Sequence, residues 1–181
     1  MKPAPFARTA ALSITLALTC ATAALPAAAK SVAEWQTITS QAKIPLEQAI
    51  TRATQAVPGK AIEAQLDDGD GTGPRYEIEV ITPAGDSVEV WVNAITGQAA
   101  QHKNDGAAKR KDRQRLEKAK STIEQAIQAA TRHTPGTPVS AELDSHWGQT
   151  SYQVEVLQTN GTLMEVKIDA VGGEVIRAKK D

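Results

Sequence analysis

Between Leu66 and Val80 the chain reads LDDGDGTGPRYEIEV, and its acidic residues fall close to the spacing of a calcium-binding loop. Asp68, Asp70, Thr72, Gly73 and Glu79 stand near the positions where an EF-hand places oxygen ligands, a sharp glycine turn and a closing glutamate. That loop requires a helix on each side, whereas Glu79 lies between Ile78 and Val80 in an alternating, strand-like run. Thr72 is also a poor ligand at the middle of such a loop. No metal site is assigned on this spacing. The weaker alternative is a metal-ion or small-ligand site drawn from Asp67, Asp68, Asp70 and the distant imidazole of His146.

The remaining reactive side chains do not assemble into a catalytic set. The chain has three histidines, and neither His133 nor His146 has a second His or a carboxylate at ligand spacing. No G-x-S-x-G stretch occurs, and the single cysteine, Cys20, lies near the N-terminus. Carboxylates do come in pairs: Glu77 and Glu79 facing Glu89, with Glu155 and Glu165 later in the chain. A pair that stays in water has no reason to shift its pKa, so general acid–base work is not expected from it. The sequence predicts a protein that is not an enzyme and has no cofactor.

The elements that carry these residues follow from an internal repeat. LEQAITRATQAVPG at 46–59 returns as IEQAIQAATRHTPG at 123–136, and IEAQLD at 62–67 returns as VSAELD at 139–144. YEIEVITPAGDSVEVWVNAITGQ at 76–98 returns as YQVEVLQTNGTLMEVKIDAVGGE at 152–174. Leu46, Ala49, Ile50 and Ala53 have helical spacing, as do Ile123, Ala126, Ile127 and Ala130. Proline and glycine then stop the helix, and the period changes to alternation, with Ala84-Gly85 and Asn160-Gly161 as hairpin turns. The predicted fold class is α+β: two tandem units, each one helix packed on a three- to four-stranded antiparallel sheet. The repeat also decides the opening question. The second copy, LDSHWGQTSYQVEV, drops the acidic run and keeps the strands, so a strand connection explains both copies and calcium does not.

Strand parity sends Glu77, Glu79, Glu89 and Trp91 to the outer sheet face. Two readings of Trp91 stand: the neighbouring unit or the segment of Trp35 covers it, or it forms a partner-binding patch with Glu77, Glu79 and Glu89. The second copy has Lys167 in its place. The run KRKDRQR at 109–115 reads as a solvated helix face, or as a surface for anionic lipid or an acidic partner.

Residues 1–29 have the form of a cleavable export signal: Lys2 and Arg8, an apolar run from Ala10 to Leu18, and Ala27 and Ala29 before the cleavage point. Lipidation at Cys20 is the weaker alternative. The expected location is the periplasm or the medium, with no stable membrane insertion after the signal is removed. Residues 30–100 are read as the first unit, 101–120 as a charged, partly helical linker that lengthens the second helix backwards, and 121–181 as the second unit. A short leading helix is expected over 31–41, and Asn104-Asp105-Gly106 is expected to break structure. The formal charge of −1 and the 3% of aromatic residues give no footing for nucleic acid.

The repeated motifs resemble the PepSY domain, in which a helix opening near I-x-L-E-Q-A precedes strands ending in a D-A-x-T-G-E-like turn. Ile44 to Ala49 and Asn93-Ala94-Ile95-Thr96-Gly97 carry that pattern, and Asp169-Ala170-Val171-Gly172-Gly173 repeats the turn with Gly for Thr. The resemblance spans nearly all of the chain after the signal. It implies an exported protein with no catalytic residues, whose partner is another protein, a peptidase above all, that it modulates or inhibits.

Overall fold

A computed structural model describes residues 30–180. The expected signal at 1–29, its cleavage point and Cys20 lie outside the described residues. The elements are α1 (Val32–Gln41), α2 (Leu46–Ala56), β1 (Lys60–Asp67), β2 (Arg75–Ile81), β3 (Asp86–Asn93), β4 (Ala99–Ala107), α3 (Arg110–Lys118), α4 (Ile123–His133), β5 (Thr137–His146), β6 (Gln149–Leu157), β7 (Leu163–Asp169) and β8 (Val175–Lys180).

Each repeat forms a helix and a four-stranded meander, and the two meanders join into one antiparallel sheet of eight strands, ordered β4-β3-β2-β1-β5-β6-β7-β8. The join is short: Glu63 faces Glu142, Ala64 faces Ala141, and Gln65 faces Ser140. Since β1 and β5 are the same strand of the two copies, their antiparallel pairing relates the units by a local two-fold. The apolar stripes of α2 and α4 close a single core that draws on both units. Ile50 and Ile127 are wholly buried in it, each stabilising the fold by about 1.5–3 kcal/mol relative to an exposed side chain.

The same local devices recur in both copies. A Cβ on Gly59 would lie 2.5 Å from the carbonyl oxygen of Ile81, and one on Gly136 would lie 2.5 Å from that of Leu157. The glycine after each helix therefore permits a backbone approach as well as ending the helix. Tyr76 donates its hydroxyl to the carbonyl of Ile44 at 2.7 Å, and Tyr152 donates to Ser121 at 2.9 Å. Burial first, then a nearby glutamate, pushes both phenols up to about 12, so both stay protonated donors.

The leading helix appears as α1, with Ser31 and Glu34 forming a capping box. The segment 101–120 differs from expectation in two ways. Asn104-Asp105-Gly106 does not end structure: it lies inside β4, where register shifts opposite Ser87/Val88 and Glu89/Val90 absorb the irregular residues. Residues 101–107, expected in the linker, are thus strand. Nor is the second helix lengthened. The chain is extended at Ala119, and Thr122 with Gln125 forms a capping box that starts α4 afresh, so α4 has 11 residues, as α2 does. A strong N-cap outweighs the helix-favouring composition before it, and Leu116 belongs to a separate helix, α3.

Candidate functional site

The sheet face opposite α2 and α4 carries the polar side chains of alternate strand residues. Register lines up its carboxylates. Glu142, Glu63, Glu79 and Glu89 are cross-strand neighbours in sequence across β5, β1, β2 and β3, and Lys103 of β4 ends the row. Adjacent strands are about 4.8 Å apart, so like charges face each other at each step. Burial, followed by repulsion from Glu142, Glu79 and Asp112, raises the Glu63 carboxyl above its ordinary range. Burial, then Asp144, does the same to Glu142. A groove of about 550 Å³ runs over this row, walled by Glu63, Glu77, Glu79 and Glu89 with Lys103 and Lys109 at its rim.

The four residues that parity assigned to a partner patch stand together here. Glu77 is directly opposite Trp91, and Glu79 is opposite Glu89. Trp91 is half-buried and held on both ring faces by its own unit: the Arg75 guanidinium lies 3.9 Å from its ring centroid and the His102 ring 3.4 Å away, inclined by 9°. Its indole nitrogen donates to Glu89 at 2.6 Å, while Arg75 pairs with Glu77 at 2.7 Å. Ser87 donates to Glu79 at 2.5 Å. The site is thus a rigid aromatic plate set in hydrogen-bonded carboxylates, and nothing in it aims a nucleophile or base at a shared point. In the second copy, Glu165 pairs with Arg177 at 3.2 Å and Lys179 at 3.1 Å, so cations of β8 neutralise that side of the face.

The alternative ligand set is not brought together. Because β1 and β5 run antiparallel, the connection holding Asp67, Asp68 and Asp70 lies at the opposite end of the sheet from His146. Asp67 is already occupied: Lys30 reaches it at 3.0 Å, the Gly69 amide donates at 2.8 Å, and Arg75 approaches to 3.8 Å. Burial pushes its carboxyl up, but these partners outweigh that and hold it below the ordinary range. Asp68 accepts from the Asp70 amide at 3.0 Å, and Asp70 takes a left-handed backbone with φ of 51°. Among the described residues no group of three or more His, Cys, Asp or Glu side chains is arranged to hold a metal ion.

Sequence reasoning missed several members of this face. Arg75 shares parity with Glu77 and could have been found. His102 was hidden in a stretch read as linker, so no strand parity was applied to it. Glu63 and Glu142 meet only through β1–β5 pairing. Asp112 and Arg115 reach the face because α3 lies across it: Arg115 pairs with Asp112 at 3.0 Å and with Asp144, and donates to Ser145 at 3.3 Å.

The two repeat units coincide with two matches to one family profile, described as "Peptidase propeptide and YPEB domain", at residues 43–99 and 120–179. The chain belongs to the PepSY family. The PepSY copies hold the tyrosine and glycine devices above; the first match runs from α2 through β3 and stops as β4 begins, and the second runs from α4 into β8. A curated relative, the uncharacterized protein YkoJ of Bacillus subtilis strain 168, is 31% identical over 106 residues, 59% of this chain. The match spans 57% of that relative's length, little more than half of it. A solved structure of a lipoprotein candidate from Clostridium difficile 630 matches 77% of this chain and 95% of its own at 18% identity, with a TM-score of 0.45. Among the described residues no helix is long and apolar enough to cross a membrane.

Proposed function

We propose that this tandem PepSY protein is exported and acts without catalysis, binding a protein partner in the cell envelope and modulating it, with a peptidase as the first partner class to test. The observation that carries this reading is the clamped Trp91 beside the Glu63–Glu79–Glu89 row, over an open groove. A side chain of this size, held flat at no further entropic cost, is the form that interface anchors take. The surrounding carboxylates favour a partner surface rich in Lys and Arg, and that charge match would quicken encounter at low salt. Family membership supports the peptidase class.

The experiment is affinity capture from an envelope extract with the chain from Lys30 onwards, followed by a peptidase assay on whatever is recovered. A partner retained by the wild type and lost about tenfold or more with Trp91→Ala is the expected result. If nothing specific is captured and Trp91→Ala leaves the cell's phenotype unchanged, the reading is wrong. Arg75→Gln should weaken the same capture by loosening the clamp while leaving the indole in place.

A further inference from the structure

Trp147 occupies the tip of the β5–β6 hairpin with 93% of its surface exposed. It is the first central residue of a two-residue turn closed by the His146–Gln149 pair, with φ of 50°, and Gly148 follows with φ of 83°. Turns of this kind favour Asn, Asp or Gly at both central positions, because a left-handed backbone crowds a larger side chain. Trp is a poor choice there for folding. Its ring touches only the edge of His146, with centroids 5.6 Å apart at 89°. The fold does not demand it either: the matching connection in the first unit is the acidic Asp67–Pro74 stretch, with no aromatic residue.

What surrounds the tip points to its occupant. The Asp169–Gly173 turn lies beside it, through Gln149 Nε2 donating to Asp169 at 3.1 Å and the Ala170 amide donating to Thr150 at 3.1 Å. That turn presents Val171, 57% exposed. The C-terminal end of α3 comes to the same place, because Arg115 binds Asp144 and Ser145 just before the hairpin tip and the Lys120 amide donates to Ala170 at 2.8 Å. Lys118 and Lys120 are both exposed there. Of the seven Lys or Arg in residues 109–120, Lys109 stands at the acidic groove and Arg115 is paired with Asp112 and Asp144, and Lys118 and Lys120 are the two at the tip end.

We propose that this end of the second unit docks on an anionic lipid bilayer, with Trp147 and Val171 entering the headgroup region and Lys118 and Lys120 meeting lipid phosphates. An indole prefers the water–hydrocarbon boundary, and clustered Lys and Arg are drawn to a negative leaflet. The indole stands out from the turn with 93% of its surface exposed, and a flat bilayer can take it in that form. The acidic row around Glu63 borders the other end of α3, where Lys109 stands at the groove rim, so only the C-terminal cations Lys118 and Lys120 belong to this tip.

The test is co-sedimentation of the chain from Lys30 onwards with phosphatidylcholine vesicles, with and without about 30 mol % phosphatidylglycerol, at low and high salt. Binding should require the anionic lipid, fall steeply with salt, and shift the Trp emission to the blue. Trp147→Asn, which suits the turn better and keeps the fold, should reduce binding about tenfold, as should Lys118→Glu with Lys120→Glu. Trp91→Ala should bind vesicles as the wild type does, which separates this result from the fate of the partner site. Absence of binding to both vesicles, or binding unchanged by Trp147→Asn, overturns the proposal. Capture of an envelope protein through Trp147 without vesicle binding also overturns it, and assigns the tip to a protein.

Discussion

The two leading helices, α1 and α3, enter their units in the same way and are held by opposite chemistry. Both end at an alanine with φ of −64° and ψ of 132°, Ala42 and Ala119. The next two amides after each helix then donate to one carbonyl, that of Ala94 after α1 and that of Ala170 after α3. Counting back from those alanines puts Trp35 of α1 at the position of Asp112 in α3, and Ile38 at that of Arg115. The first helix is fixed by burying Trp35 and Ile38, 4% and 5% exposed. The second is fixed by an ion-pair set, Asp112–Arg115–Asp144, with Asp112 only 6% exposed. One backbone arrangement therefore accepts either an apolar plug or a charge network. The difference extends to the strands: Glu63 and Glu142 have Ser140 and Gln65 as their counterparts in the other copy, so the acidic row forms where α3 brings a further carboxylate.

The sharpest break of this comparison is Trp35→Ala. Removing a large core side chain costs about 3–5 kcal/mol, the cavity included, and the Lys30 ammonium 5.4 Å over the ring is a small part of that. Urea unfolding should show a loss of that size, insensitive to salt. A loss below about 1 kcal/mol would mean that α1 is held by the Lys30–Asp67 pair instead of by its apolar plug.

Arg115→Ala comes next. It leaves Asp112 and Asp144 without their shared cation in a poorly hydrated place, and the expected loss is about 2–3 kcal/mol, smaller than for a fully buried pair because Asp144 keeps some contact with water. Unlike Trp35→Ala, it should respond to salt. The conversion Asp112→Trp with Arg115→Ile rebuilds the α1 solution in α3, and replacing a buried pair by apolar groups of suitable volume is neutral or stabilising. If that double variant is less stable than Arg115→Ala, the helices do not share a docking geometry and the correspondence fails.

Much of the fold was legible because the sequence states it twice. Helical spacing, alternation and turn residues agree between copies, so the helix-and-meander unit follows from Leu46–Ala53 and Tyr76–Val92 alone. The outer location of Trp91 and its glutamates was legible by parity for the same reason. What the repeat could not supply lies where the copies stop matching or where they touch. The β1–β5 join rests on three residue pairs that leave no periodic trace. A fourth strand was allowed for, but its extent over residues 101–107 was masked by Asn-Asp-Gly, residues that serve turns in most settings but bulges here. That error removed His102 from view and left Arg75 as an ordinary strand residue. Asp112 and Arg115 looked like part of a solvated helix face, since nothing local says that this face lies against Asp144. Trp147 was visible as a residue and invisible as a feature, because only a backbone angle shows how poorly it suits its turn.

The smallest expected effect tests the charge side of the comparison directly. The Glu63 carboxyl is raised by burial and by the neighbours Glu142, Glu79 and Asp112. A carboxyl raised in the folded state binds more protons there than in the unfolded chain, so stability falls as pH rises from its unfolded value through its folded one. Glu63→Gln removes that dependence. The variant should match the wild type near pH 4 and be the more stable of the two at pH 7, by a modest shift in urea midpoint. Ser140→Glu places a carboxylate at the counterpart position, opposite Glu155, where α1 has Trp35 in the place of Asp112, and it removes the 2.7 Å hydrogen bond from Ser140 to Glu155. It should lower stability at both pH values, and by more at pH 7 than near pH 4. An equal loss at the two pH values would show that the hydrogen bond alone is responsible and that a carboxylate row without α3 carries no repulsion.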